Sequence, residues 1–217
     1  MSPETQNNAP SSPSLAGYVM AGGGSTRFGQ DKARALFAGR PMLSRMADLV
    51  SSVTGAAAIV VAPPTRYQDL ALAALDDLWP GEGPLGGIIT ALRHTRNLPG
   101  TPAWNLIVSC DMPFLTHDWL VNVAQRAATS QADVVVPQST HGLEPLCACW
   151  RTTAAATLEP AFSGGVRRVT QAIALLRAEV LDEPHWKRFD SAGRLFWNMN
   201  TAEDYAEAQH MMESEST

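Results

Sequence analysis

The chain has 217 residues, 45% of them hydrophobic, which is enough for a sizeable core and argues against wholesale disorder. Charged residues are only 17%, with 16 Lys and Arg against 21 Asp and Glu, a formal net charge of −5. That balance excludes a broad basic surface for nucleic acid or anionic membrane and leaves room for a small basic pocket holding one anionic ligand.

Residues 1–14 are polar and rich in Pro, Ser and Asn. They have no basic start and no apolar stretch, so they read as a floppy tail rather than a signal peptide. We take 1–16 as tail and 17–217 as one domain. No apolar run reaches the ~18 residues of a membrane span. Cys110, Cys147 and Cys149 form no CxxC pair, so a disulfide framework is not expected and a reducing cytoplasm fits. Cys147 and Cys149 alternate as two side chains of one strand face would, and read as core thiols.

A first strand is expected at 17–21 and a helix at 41–53, with Pro41 at its opening. The apolar run 57–62, ended by Pro63-Pro64, reads as a buried parallel strand. Helices are expected at 66–75 and 84–94, a strand at 104–109, a helix at 118–128 and strands at 133–137 and 146–150. Helices near 152–161 and 166–178, a strand near 194–198 and a last helix from 201 to about 211 complete the chain. Strands alternating with helices imply right-handed βαβ units: a Rossmann-like three-layer α/β/α fold with a mostly parallel sheet. The loops 22–31, 76–84 and 110–116 then fall at or just beyond carboxyl ends of strands, the edge where such sheets bind ligands.

The first of these loops carries Gly22-Gly23-Gly24-Ser25-Thr26-Arg27-Phe28-Gly29-Gln30-Asp31-Lys32. Consecutive glycines let backbone N–H groups approach a phosphate, and Arg27 and Lys32 add positive charge. A Walker A loop is excluded, because Gln30 stands where its Lys must be. A dinucleotide-binding GxGxxG is excluded too, because Arg27 takes the place of the last Gly. Taken alone, three glycines read equally well as a plain tight turn.

Asp111 lies just beyond the strand 104–109, well placed to reach a ligand. It is a candidate for Mg²⁺, which is held by one or two carboxylates plus substrate phosphates, or else a turn residue. Asp77, in Asp77-Leu78-Trp79-Pro80-Gly81-Glu82-Gly83-Pro84, is either a ligand-facing carboxylate or part of a solvated acidic loop. Its neighbour Asp76 competes for the same role. The histidines at 94, 117, 185 and 210 show no metal-ligand spacing.

The string AGGGSTRFGQDKA at 21–33 resembles the AGGxSxRxGxDKA signature of the molybdenum cofactor guanylyltransferases, a branch of the nucleotidyltransferases. CDMPF at 110–114, GPLGG at 83–87, the Arg167-Arg168-Val169 run and Asn198-Met199-Asn200-Thr201 with Glu203 and Asp204 are similar to further elements of that family. The resemblance covers nearly all of the chain from Gly17. It implies transfer of GMP from GTP to the phosphate of molybdopterin, the organic part of the molybdenum cofactor, with Mg²⁺ on Asp111.

On that resemblance Arg27, Lys32 and Asp111 are catalytic. Met20, Ala21, Gly22, Gly23, Asp77 and Gly83 contact the nucleotide in the N-terminal half. Arg167, Arg168, Asn198 and Asn200 serve the acceptor in the C-terminal half, with molybdoenzymes or their chaperones as recipients. Two positions depart from the family pattern. Ala62-Pro63-Pro64 stands where an Asn often touches the nucleotide, and Glu144 stands where His or Gln often precedes Pro. Two rival readings remain: a molybdopterin cytidylyltransferase or related small-molecule nucleotidyltransferase, and a non-catalytic chaperone of the cofactor. Thr201 is expected to cap the last helix.

Overall fold

The computed structural model describes residues 15–22 and 31–215, and its first element is strand β1 (Leu15–Met20). The expected tail, up to residue 14, lies outside the described residues. β1 reaches two positions into that tail, because Leu15 and Ala16 pair with Trp104 and Asn105. A 3-10 turn (Lys32–Arg34) leads to the hairpin β2 (Leu36–Phe37) and β3 (Arg40–Pro41) and to helix α1 (Met42–Thr54). Next come β4 (Ala57–Val61), a 3-10 segment (Pro64–Leu70), β5 (Ala74–Asp76) and α2 (Pro84–Arg96). The middle of the chain forms β6 (Trp104–Ser109), α3 (His117–Thr129), β7 (Val134–Ser139), β8 (Gly142–Leu143) and β9 (Cys147–Arg151). The remainder forms α4 (Ala155–Ser163), α5 (Val169–Ile173), β10 (Ala178–Leu181), α6 (Glu183–Trp186) and α7 (Ala202–Glu215).

The main sheet runs β10-β7-β9-β6-β1-β4-β5, with β8 attached to β7. β9 is antiparallel to β6 and β7, and β8 to β7, while β10/β7, β6/β1, β1/β4 and β4/β5 are parallel. This is the expected mostly parallel three-layer α/β/α fold. Side chains alternate along each strand and so feed two cores. Val19, Val61, Leu106, Val108, Cys147 and Cys149 face the layer of α1 and α3. Tyr18, Met20, Val60, Ile107, Ala148 and Trp150 face the layer of α2, α4 and α5. Cys147 and Cys149 thus share one buried face, as expected. Burial pushes the Cys147 thiol up to about 12 and raises Cys110 and Cys149 likewise, which keeps all of them protonated and inert.

Gly87 shows why α2 can lie so close to β1. A Cβ there would collide with the Met20 methyl. Gly83 precedes the helix with φ +89°, a conformation that favours glycine, and Pro84 follows as its first residue.

Three expected elements differ. The helix at 66–75 is replaced by the 3-10 segment and by β5, which pairs with β4. Pro63-Pro64, a non-helical Tyr67 (φ −125°) and a left-handed Ala71 (φ 53°) stop an α-helix, and a short Ala/Leu run fits either period. The helix at 166–178 shrinks to α5, because the sheet edge recruits residues from Ala178 as β10 beside β7. No strand forms at 194–198. The Asp190 carboxylate takes the backbone N–H groups of Ala192 and Leu195, and Trp197 N–H bonds to Arg194 O, so these donors serve a turn. Thr201 caps α7 as expected: its Oγ1 accepts from Asp204 N at 3.1 Å, and Asp204 Oδ2 accepts from Thr201 N at 2.8 Å. Among the described residues no helix is long and apolar enough to cross a membrane.

Candidate active site

The carboxyl ends of β5, β4, β1 and β6 lie side by side, and a cleft of about 400 Å³ opens above them. Asp77 follows β5, Ala62 follows β4, Gly22 follows β1 and Asp111 follows β6, and all four line the cleft. Strands in a sheet are about 4.8 Å apart, so the step from β5 to β6 separates the two carboxylates by roughly 14 Å of sheet edge. That is about the span from the base to the phosphates of a nucleotide. Met20 and Gly83 line the cleft as well. Ala21 is buried, with its N–H on Val60 O at 3.0 Å. Gly23 and Arg27 fall in 23–30, outside the described residues.

Asp111 is fixed from several sides. Ser109 Oγ donates to its Oδ1 at 2.5 Å, and Lys32 Nζ stands 3.8 Å from its Oδ2. Its carbonyl accepts from Met199 N at 3.0 Å, which brings the Asn198–Asn200 stretch against the end of β6. Lys32 also donates to Asn200 Oδ1 at 2.9 Å. The fold therefore gathers Lys32, Asp111 and Asn200, which are far apart in the chain. Asn198 is not part of this group. Its amide donates to Phe196 O at 3.0 Å, and without a strand at 194–198 the expected alternation of the two asparagines does not arise.

The donors at this end are oxygens of Asp111 and its Ser109 partner, which suits a hard cation such as Mg²⁺. Among the described residues no cluster of His, Cys, Asp and Glu could hold a metal without help. A cation here would complete its shell from substrate phosphates, as Mg²⁺ does at phosphate sites.

Lys32 owes its place to Asp31, whose carboxylate caps the 3-10 turn through Ala33 N at 3.1 Å. Tyr67 OH donates to the same carboxylate at 3.0 Å, and Arg66 Nη2 donates to its Oδ2 at 3.0 Å. Burial and the Asp31 hydrogen bond raise the Tyr67 hydroxyl far above the ordinary phenol range, so it remains a donor. Arg34 ties the two 3-10 segments together, with an ion pair to Asp69 at 2.6 Å and a bond to Arg66 O at 3.1 Å. Arg66 also lines the cleft. The sequence reading missed Arg66 and Tyr67, because the helix expected at 66–75 gave no reason to turn them toward Asp31.

At the other end Asp77 lines the cleft and Asp76 is exposed at the end of β5, outside it. Asp77 Oδ1 accepts from Trp79 N at 3.0 Å, and Thr90 Oγ1 lies 3.3 Å away. One carboxylate oxygen is thus spent on the turn that carries it. No histidine lines the cleft among the described residues.

Arg167 and Arg168 precede α5 and do not line the cleft. Arg167 is committed to Glu82 Oε2 at 2.7 Å and Phe162 O at 2.6 Å, with its guanidinium 4.0 Å above the Phe162 ring. It braces the Glu82 rim of the cleft against the second half of the chain. Arg168 is exposed. Glu144 is 9% exposed and accepts from Ser139 Oγ at 2.6 Å. Burial raises its carboxyl above the usual range.

The sequence profile of the MobA-like NTP transferase domain matches residues 17–179. A probable molybdenum cofactor guanylyltransferase of Chloroflexus aggregans is 31% identical over 196 residues, covering 88% of this chain and 91% of the relative. A molybdenum cofactor guanylyltransferase of Desulfosudis oleivorans is 30% identical over 196 residues, covering 90% and 94%. Among solved structures, molybdopterin-guanine dinucleotide biosynthesis protein A of Archaeoglobus fulgidus superposes with a TM-score of 0.79 at 23% identity, covering 92% of this chain and 99% of that one.

Proposed function

The chain belongs to the MobA-like NTP transferase family and is a nucleotidyltransferase of molybdenum cofactor biosynthesis; we propose that it transfers GMP from GTP to the phosphate of molybdopterin. The observation that carries this reading is the Lys32–Asp111 pair at one end of a cleft whose other end presents Asp77. A carboxylate suits the N1–H and N2–H donors of guanine and repels phosphate. The ammonium of Lys32 suits the phosphates.

In the proposed reaction an oxygen of the acceptor phosphate attacks the α-phosphorus of GTP, and the bond to the β-phosphate bridging oxygen breaks, releasing pyrophosphate. A phosphate monoester has its second pKa near ~6, so the nucleophile is already ionised at pH 7. No general base is required, which accords with a cleft lined without histidine among the described residues. Catalysis then rests on alignment and on neutralising charge. Asp111 would hold Mg²⁺, which when bound supplies positive charge to the α- and β-phosphates. Lys32 is held at that point by the Asp31 cap and Asn200, and Arg27 is proposed to join it at the leaving pyrophosphate.

For the acceptor, Asn200 stands beside Lys32, and Arg168 is exposed and not tied to the Glu82 loop as Arg167 is. We assign acceptor binding to these two, with Arg167 bracing the rim and Asn198 holding its own turn.

The test is pyrophosphate release with molybdopterin and each of GTP, CTP and ATP in the presence of Mg²⁺. Release with GTP supports the proposal, and release with none of them overturns it. Release with CTP in preference would favour the cytidylyl alternative. Ala62 supports that second reading, because its methyl cannot hydrogen-bond to a base.

A further inference from the structure

We infer that Arg66 reads the base of the bound nucleotide, pairing with the O6/N7 edge of guanine; this rests on the nucleotide reading of the cleft given above. Ala62, which starts the loop after β4, lines the cleft and offers no polar side-chain atom. Arg66 comes one 3-10 turn later, lines the same cleft and is 33% exposed there. It supplies at this part of the sheet edge the hydrogen-bonding side chain that Ala62 lacks.

The guanidinium is held ready. Its Nη2 donates to Asp31 Oδ2 at 3.0 Å, and its carbon lies 5.3 Å from the centre of the Tyr67 ring. Asp31 uses one of the two Nη2 hydrogens. The other edge of the guanidinium still presents two parallel donors, the geometry that matches two adjacent acceptors. Guanine presents such acceptors as O6 and N7, the commonest specific contact of arginine with a base.

Asp77 supplies the complementary half. It lines the same cleft with opposite charge, and no ion pair joins it to Arg66 among the described residues. A ligand between them must offer acceptors to one and donors to the other. Guanine does so with O6/N7 on one edge and N1–H/N2–H on the next. Cytosine and adenine have no such donor pair on the Watson–Crick edge. A triphosphate fits poorly here, because it would lie against the Asp77 carboxylate, while Lys32 and Asp111 mark the phosphate end.

The experiment measures affinities for Mg-GTP, Mg-7-deaza-GTP and Mg-CTP by titration calorimetry, with the full-length chain and its Arg66→Lys variant. Lysine keeps a charge for Asp31 and loses the planar fork. Wild-type protein should bind GTP about tenfold or more tightly than 7-deaza-GTP, which lacks the N7 acceptor. Arg66→Lys should bring that ratio close to one and leave CTP affinity within about twofold, an internal check on folding. A wild-type chain that prefers GTP to CTP but does not discriminate against 7-deaza-GTP overturns the role of Arg66 and leaves the nucleotide reading intact. An equal loss for all three ligands in Arg66→Lys makes Arg66 a phosphate contact and also overturns it. A wild-type chain that binds none of them overturns both.

Discussion

Lys32 Nζ lies 3.8 Å from Asp111 Oδ2, with each side chain 18% exposed. A charge pair this shielded is screened less by salt than a surface pair. It also brings the ends of β1 and β6 under a single electrostatic arrangement. The ammonium reaches both the carboxylate and the Asn200 side chain.

Lys32→Ala and Asp111→Ala should each lower turnover by roughly 10²-fold or more, the usual cost of losing a group that stabilises charge in the transition state. Pyrophosphate release under saturating GTP is the measurement. Asp111→Ala should in addition flatten the Mg²⁺ dependence of GTP binding. Near-wild-type rates in both variants would remove the pair from the chemistry.

Asp77→Asn keeps an oxygen for Trp79 N and places an amide where the base donors should meet a carboxylate. Hydrogen bonds to charged groups contribute about 1.5–3 kcal/mol, so GTP affinity should fall by about tenfold or more. ITP lacks the 2-amino group. The wild-type preference for GTP over ITP should shrink in the variant. An unchanged preference would move Asp77 away from the base.

Tyr67→Phe removes one donor from Asp31 and changes little else, since the ring is almost fully buried. A stability loss of about 1.5–3 kcal/mol in urea denaturation is expected. Lys32 should be held less firmly, so kcat should fall while KM for GTP changes little. A variant as stable and as active as wild type would show that Arg66 and the Ala33 N–H suffice to hold Asp31.

Glu144 gives a pH prediction. Burial raises its carboxyl in the folded state, so the folded chain holds a proton that the unfolded chain releases. Stability is then lost as pH rises through the ordinary carboxylate range toward the raised value, and the loss is absent below that range. Glu144→Gln never ionises and can still accept from Ser139 Oγ. It should melt above wild type near pH 7, with the gap closing toward pH 4. A gap that does not change with pH would point to packing instead.

The local motifs were legible because each sits at a strand end and carries its own chemistry. Gly22 after β1, Asp77 before GPLGG and Asp111 after β6 need only one strand and one loop to be placed. The Thr201–Asp204 cap of α7 is of the same kind. The alternation of Cys147 and Cys149 needs a single strand. The 3-10 segment and β5 were not legible, because Ala74–Asp76 becomes a strand only through its partner β4. The turn at 194–198 was hidden for a similar reason, since the Asp190 side chain claims donors that a strand would have used.

By itself the sequence determined most of the alternation of strands and helices, the strand-end loops that line the cleft and the family the chain belongs to. Periodicity and motif spacing act within a few residues, so one chain is enough to read them. Only the tertiary structure decided which charges work together. It set Arg66 and Tyr67 on Asp31 and Asn200 on Lys32, turned Arg167 to Glu82, and put Asp77 rather than Asp76 in the lining of the cleft. These pairings depend on sheet register and on where turns reverse the chain, and both are settled by packing between segments far apart in sequence.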